Sequence, residues 1–182
     1  MKYIPNLLSL FRILAIPLII MLSYQDNQIF SFLASSLFIM ASITDFLDGF
    51  LARKFLVESK LGSYLDLLAD KLLICCLLLW LTFSIKTPEI LVLSLILLSR
   101  EISISSMRQW ALNESKDNFL KPNSFGKVKT LFQMLSVSIL LLRDIYIFSI
   151  DLYQVGILFL TLATLLSILS FFIYLRESLL KL

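Results

Sequence analysis

The sequence predicts an all-α integral membrane protein: a six-transmembrane-helix bundle with a polar cavity open to the cytoplasmic side. Three observations predict it. Hydrophobic residues make up 59% of the 182 positions and mean hydropathy is +0.91, too apolar for a soluble domain of this length. Apolar runs approaching the roughly 20 residues that cross a bilayer recur six times, at about 4–24, 29–52, 61–84, 88–112, 125–148 and 152–175. Within each run the apolar residues are continuous rather than alternating, which favours helices over barrel strands. The chain is too short for several such bundles, so 1–182 is expected to be a single membrane domain.

The first run is interrupted by Asn6 and Arg12, and no small-x-small site follows it. It therefore reads as a membrane helix with an interfacial start at Pro5, not as a cleavable leader. The second run ends at Arg53 and Lys54, and the third begins after Lys60. Between the fourth and fifth lie Lys116 and Lys121, flanked by Arg108, Lys127 and Lys129. The other connections carry only Lys86 and Arg143 as cations. The excess of Lys and Arg places these two basic loops and both termini in the cytoplasm. The implied location is the inner membrane of a bacterial-type cell. Residues 113–124 read as a polar connector containing Pro122, and Asp144 and Asp151 as loop residues. Tyr24, Trp80 and Trp110 near span ends read as interface anchors.

The chain has no histidine, which removes Ser-His and Cys-His nucleophile schemes and imidazole–zinc sites and leaves carboxylates as proton acceptors. Cys75 and Cys76 are adjacent in an apolar helix and point apart, so neither a disulfide nor a metal pair is expected. Nothing in the sequence supports binding of nucleic acid.

Asp45, Asp48, Asp66 and Asp70 are the informative exception to this apolar background. A carboxylate at membrane depth costs roughly 2.5–3.5 kcal/mol on insertion scales, so the group needs a compensating charge. At about 100° per residue, Asp45, Asp48, Gly49 and Ala52 share one stripe, and Gly62, Asp66, Ala69 and Asp70 share another. Antiparallel neighbours joined by a short loop can face the four carboxylates at each other. Two divalent cations roughly 3.5–4 Å apart would suit that many oxygens. Oxygen-only donors favour Mg2+ or Mn2+ over zinc. The small residues leave room for a bulky ligand or permit close helix packing. Arg53 is either a snorkelling anchor or a phosphate contact.

Asp45-x-x-Asp48-Gly49-x-x-Ala52-Arg53, eight residues, then Gly62-x-x-x-Asp66-x-x-x-Asp70 resembles the full signature of the CDP-alcohol phosphotransferases. The segments 5–12, 100–102 and 126–130 are similar to the phosphatidylglycerophosphate synthase branch, although Leu67 stands where that branch often has proline. The resemblance covers most of the first five spans. It implies transfer of a phosphatidyl group from CDP-diacylglycerol to glycerol 3-phosphate, with release of CMP. It further implies that Asp45, Asp48, Asp66 and Asp70 hold two Mg2+ or Mn2+ ions and that Asp70 is also the general base. Gly49 and Arg53, with Ser59 as a weaker candidate, would lie along the CDP portion of the CDP-diacylglycerol. Asn6, Ser9 and Arg12 form a weaker polar edge that could approach the nucleotide or cap the bundle. A homodimer is implied as well.

The acceptor phosphate needs its own cations. Glu101, Ser105 and Arg108 share a face of the fourth helix with Arg100 beside them, and Lys129, Thr130 and Gln133 form a polar stripe on the fifth next to Lys127. Arg108, Lys127 and Lys129 are the expected phosphate partners. Arg100 is a further candidate or a structural partner of Glu101, and the lysines could equally be membrane anchors. Two other readings stay open: the same chemistry on serine, an inositol phosphate or phosphatidylglycerol, and a divalent-cation transporter, since buried carboxylates also mark ion pathways. A catalytically silent partner protein is disfavoured by the complete set of carboxylates.

Overall fold

The computed structural model describes residues 4–25, 27–55, 60–113, 124–142, 146–147 and 150–179. Among them are six α-helices: α1 Ile4–Tyr24, α2 Gln28–Phe55, α3 Lys60–Ile85, α4 Pro88–Asn113, α5 Ser124–Leu140 and α6 Leu152–Leu179. Four of these helices, α1, α3, α4 and α6, are long and apolar enough to cross a membrane. In α2 and α5 the apolar stretches are shorter, Gln28–Thr44 and Val128–Leu140.

Local chemistry sets the helix starts. Asn27 caps α2, its side-chain oxygen accepting from the Ile29 N–H at 2.9 Å. Asp151 does the same for α6 through the Tyr153 N–H at 3.0 Å. Pro88 opens α4, where a missing N–H costs nothing. The turn before it needs only Lys86 and Thr87: Lys86 adopts φ 57°, the left-handed conformation that ends many helices. Its ammonium sits over the Phe83 ring, 5.8 Å from the centroid.

One expected span is corrected. The fifth run was expected to continue to about residue 148, but α5 ends at Leu140 and the chain turns at 141–142. Tyr146–Ile147 then pairs antiparallel with Ile150–Asp151 in a two-stranded ladder. Aromatic and β-branched residues suit extended pairing, and hydropathy alone does not separate such a run from a helix. At 1.5 Å per residue α5 is only about 25 Å long.

The core is a chain of small and branched residues at helical spacing, including Ala34, Phe38 and Ala41 on α2 and Leu73, Leu77 and Leu81 on α3. Leu14, Leu18 and Met21 lie exposed on α1, as expected of side chains facing lipid. Among the described residues, α1 packs extensively on both α2 and α3, which meet each other far less.

The most extensive pair is α5 with α6. Gly156 makes it possible: a Cβ there would lie 2.6 Å from Leu140 Cδ2 and 2.7 Å from its Cγ. Ser136 Oγ also donates to the Gly156 carbonyl at 2.8 Å. Small residues admit this approach in apolar helix pairs. Gly156→Ala is expected to destabilise the protein by about 1–3 kcal/mol through overpacking, read as a lower melting temperature in detergent.

Candidate active site

Arg12 lies on the inner face of α1 and is 0% exposed. An arginine so placed needs compensating acceptors, and α3 provides them. Asp66 and Asp70, one helical turn apart, lie on the same face and meet the two ends of the guanidinium fork. Arg12 Nη2 donates to Asp66 Oδ1 at 2.5 Å, and Nη1 donates to Asp70 Oδ1. Arg12 Nη2 also lies 3.5 Å from the buried Ser9 hydroxyl. The arrangement is charge-assisted and joins α1 to α3.

Both aspartate side chains are 39% exposed while Arg12 is fully covered. The pair therefore keeps an accessible face of hard oxygen donors, which fits Mg2+ or Mn2+. Asp45, Asp48, Gly49 and Arg53 lie along the later part of α2, but their side chains are outside the described residues. The same holds for the side chains of Asn6 and Lys127, and Ser59 lies wholly outside. Among the described residues, Asp, Glu, His and Cys form no group of three or more able to hold a metal. Gly62 and Ala69 are buried, the position that close packing requires.

A second charged group lies between α4, α5 and α6. Glu101 accepts from Arg100 at 3.1 Å and from Lys129, both at Oε1. Lys129 is 1% exposed, so this lysine is a buried partner of Glu101 and not a surface anchor. Arg100 also donates to Ser170 Oγ at 3.0 Å, tying α4 to α6. Arg108 is exposed and borders a cleft of about 640 Å³ whose walls include Arg100, Glu101, Lys129, Lys71 and Tyr64.

Lys71 is the residue that sequence reasoning missed. It follows Asp70 directly, donates to Ser105 Oγ and lines the large cleft. It also lines a cavity of about 160 Å³ that reaches Asp70. The two spaces share Lys71, Glu101, Lys129 and Thr130. Its signal was available in the sequence: a lysine well inside an apolar helix is rarely without a polar task.

The arrangement sets carboxylates suited to a cation and to proton acceptance beside two neighbouring spaces with shared walls and several fixed cations. Comparison with known proteins agrees with that chemistry. Residues 2–169 match the CDP-alcohol phosphatidyltransferase family. A Wigglesworthia glossinidia brevipalpis protein named CDP-diacylglycerol–glycerol-3-phosphate 3-phosphatidyltransferase is 37% identical over 171 residues, covering 94% of this chain and 92% of its own. Proteins of the same name from Rickettsia typhi and Shigella flexneri serotype 5b are 36% and 33% identical, covering 97% and 96% of this chain and 97% and 94% of their own. With the match running across nearly the whole length, the chain belongs to the CDP-alcohol phosphatidyltransferase family.

Proposed function

We propose that this protein transfers the phosphatidyl group of CDP-diacylglycerol to glycerol 3-phosphate, forming phosphatidylglycerophosphate and CMP. The relatives that match almost end to end carry that activity in their names. The observation that carries the reading on this chain is the cavity at Asp70, which shares walls with a cleft lined by Arg100, Arg108, Lys71 and Lys129. A proton acceptor and a surface for a second phosphate thus lie side by side.

In this reading the acceptor hydroxyl oxygen attacks the lipid-side phosphorus of the diphosphate. The new P–O bond forms as the bond to the bridging oxygen breaks, CMP departs with that oxygen, and Asp70 takes the hydroxyl proton. Asp45, Asp48, Asp66 and Asp70 would hold two Mg2+ or Mn2+ ions, which supply charge neutralisation for the diphosphate. Gly49 and Arg53, with Asn6, Ser9 and Ser59, would lie along the CDP-diacylglycerol. Arg108 and Lys127 would hold the acceptor phosphate, with Lys129 and Arg100 behind them, anchored to Glu101. Ser9 would act chiefly by fixing Arg12, given their contact.

All six helices would cross the membrane, with the acidic end of α2 and the basic start of α5 forming the mouth of a cytoplasm-facing cavity. Both termini would then be cytoplasmic, following the excess of Lys and Arg in the two basic loops. The family resemblance suggests a homodimer.

Purified protein with Mg2+ or Mn2+ is expected to release CMP only when CDP-diacylglycerol and glycerol 3-phosphate are both present. Chelation should stop the release. Release with serine, an inositol phosphate or phosphatidylglycerol instead would reassign the acceptor, and no release with any alcohol would remove the enzyme reading.

A further inference from the structure

The smaller cavity, about 160 Å³, lies between α3, α4 and α5. An engineered apolar cavity of about 150 Å³ takes up benzene, a molecule with as many heavy atoms as glycerol. The walls are of two kinds. Ile74 and Met134 are apolar, whereas Asp70, Glu101 and Gln133 bring polar atoms.

Two of those polar groups have unused hydrogen-bonding capacity. Gln133 is 3% exposed, and its Nε2 has no hydrogen-bond partner among the described residues. Glu101 receives both of its cations on Oε1, and among the described residues Oε2 receives no hydrogen bond. The two unused atoms are complementary, since an ionised carboxylate only accepts and an amide nitrogen only donates. A hydroxyl does both, so one hydroxyl satisfies the pair. Lys71, Glu101 and Lys129 line both spaces, but Arg100 and Arg108 line the wider cleft alone, so a phosphate belongs there.

We propose that this cavity seats the carbon backbone of the acceptor, and that Glu101 and Gln133 together read its non-reacting hydroxyl. That hydroxyl donates to Glu101 Oε2 and accepts from Gln133 Nε2, while the reacting hydroxyl faces Asp70 at the opposite wall. These residues then select a vicinal diol phosphate over an alcohol phosphate without the second hydroxyl. The inference rests on the transferase reading above.

The test compares glycerol 3-phosphate with 3-hydroxypropyl phosphate, which lacks only that hydroxyl, in CMP release by the purified full-length protein. The wild type is expected to prefer glycerol 3-phosphate by about 100-fold or more in kcat/KM, because the analogue leaves two buried polar groups unpaired. Gln133→Leu and Glu101→Ala should shrink the preference to within about threefold, mainly by loss on glycerol 3-phosphate. In Glu101→Gln the amide oxygen must stay with Arg100 and Lys129, so a donor takes the Oε2 position and most of the preference should be lost as well. The ratio is internal to each preparation, so a smaller folded fraction does not alter it. Equal losses on both acceptors would make Glu101 and Gln133 purely structural and overturn the assignment, as would a wild type indifferent to the second hydroxyl. No turnover of either acceptor by the wild type would remove glycerol 3-phosphate as the acceptor, and this assignment with it.

Discussion

Asp66→Asn is expected to lower CMP release by about 10²–10³-fold or more, while the protein stays inserted and folded. The size follows from losing one charged oxygen donor where cations neutralise a diphosphate. The fold should survive because the change is isosteric and Arg12 keeps its contact with Asp70. The same substitution at Asp70 separates the two roles. Asp70→Asn should cost about 10²–10⁴-fold through loss of the base at any Mg2+ concentration, whereas Asp66→Asn should mainly raise the Mg2+ concentration giving half-maximal rate. Turnover at the wild-type level in Asp66→Asn would remove Asp66 from the site.

Helix positions and same-face pairs were legible in the sequence; partners across helices were not. The run 4–24 coincides with α1, and 61–84 lies within α3, Lys60–Ile85, because continuous apolar stretches admit few alternatives in a membrane. The pairing of Asp66 with Asp70 on one face follows from a separation of four. Their contact with Arg12, at sequence separations of 54 and 58, follows only from how α1 enters beside α3. Loop length gave no warning of that packing. The Lys129–Glu101 pair, 28 residues apart, was hidden in the same way. Either sequence reading of Lys129, as membrane anchor or phosphate ligand, left its ammonium exposed, whereas it lies beneath a carboxylate. The end of α5 was misread because Tyr146, Ile147 and Ile150 are as apolar as a helix requires, and composition does not record the turn after Leu140.

The acceptor side follows the same physics. Four cations, Lys71, Arg100, Arg108 and Lys129, line the large cleft together with Glu101. Two of them, Arg100 and Lys129, are engaged with it directly. An engaged cation is held in place, and a fixed charge needs no reorganisation when an anion arrives. Arg108 is exposed and is the one of the four placed to make first contact with an incoming phosphate. Removing it should therefore raise KM for the acceptor more than it lowers kcat.

Arg12→Met is expected to be the most destabilising of these substitutions. Arg12 is 0% exposed and forms the ion-pair link between α1 and two aspartates of α3. Methionine restores much of the side-chain volume, so the loss is mainly electrostatic. Asp66 and Asp70 are left as like charges one turn apart, with no guanidinium between them. Breaking a buried pair by removing one partner costs about 3–5 kcal/mol, which corresponds to roughly 6–20 °C of melting temperature for a chain of this size. Arg12→Met in chelator should melt lower by that amount. A divalent cation can replace the missing positive charge, so Mg2+ should raise the melting temperature of the variant more than that of the wild type. Combining Arg12→Met with Asp70→Asn removes one of the two opposed charges and should recover part of the loss without Mg2+. If the variant and wild type melt together in chelator, the Arg12 contact does not hold α1 to α3; if Mg2+ shifts both equally, the cation does not stand in for the missing guanidinium.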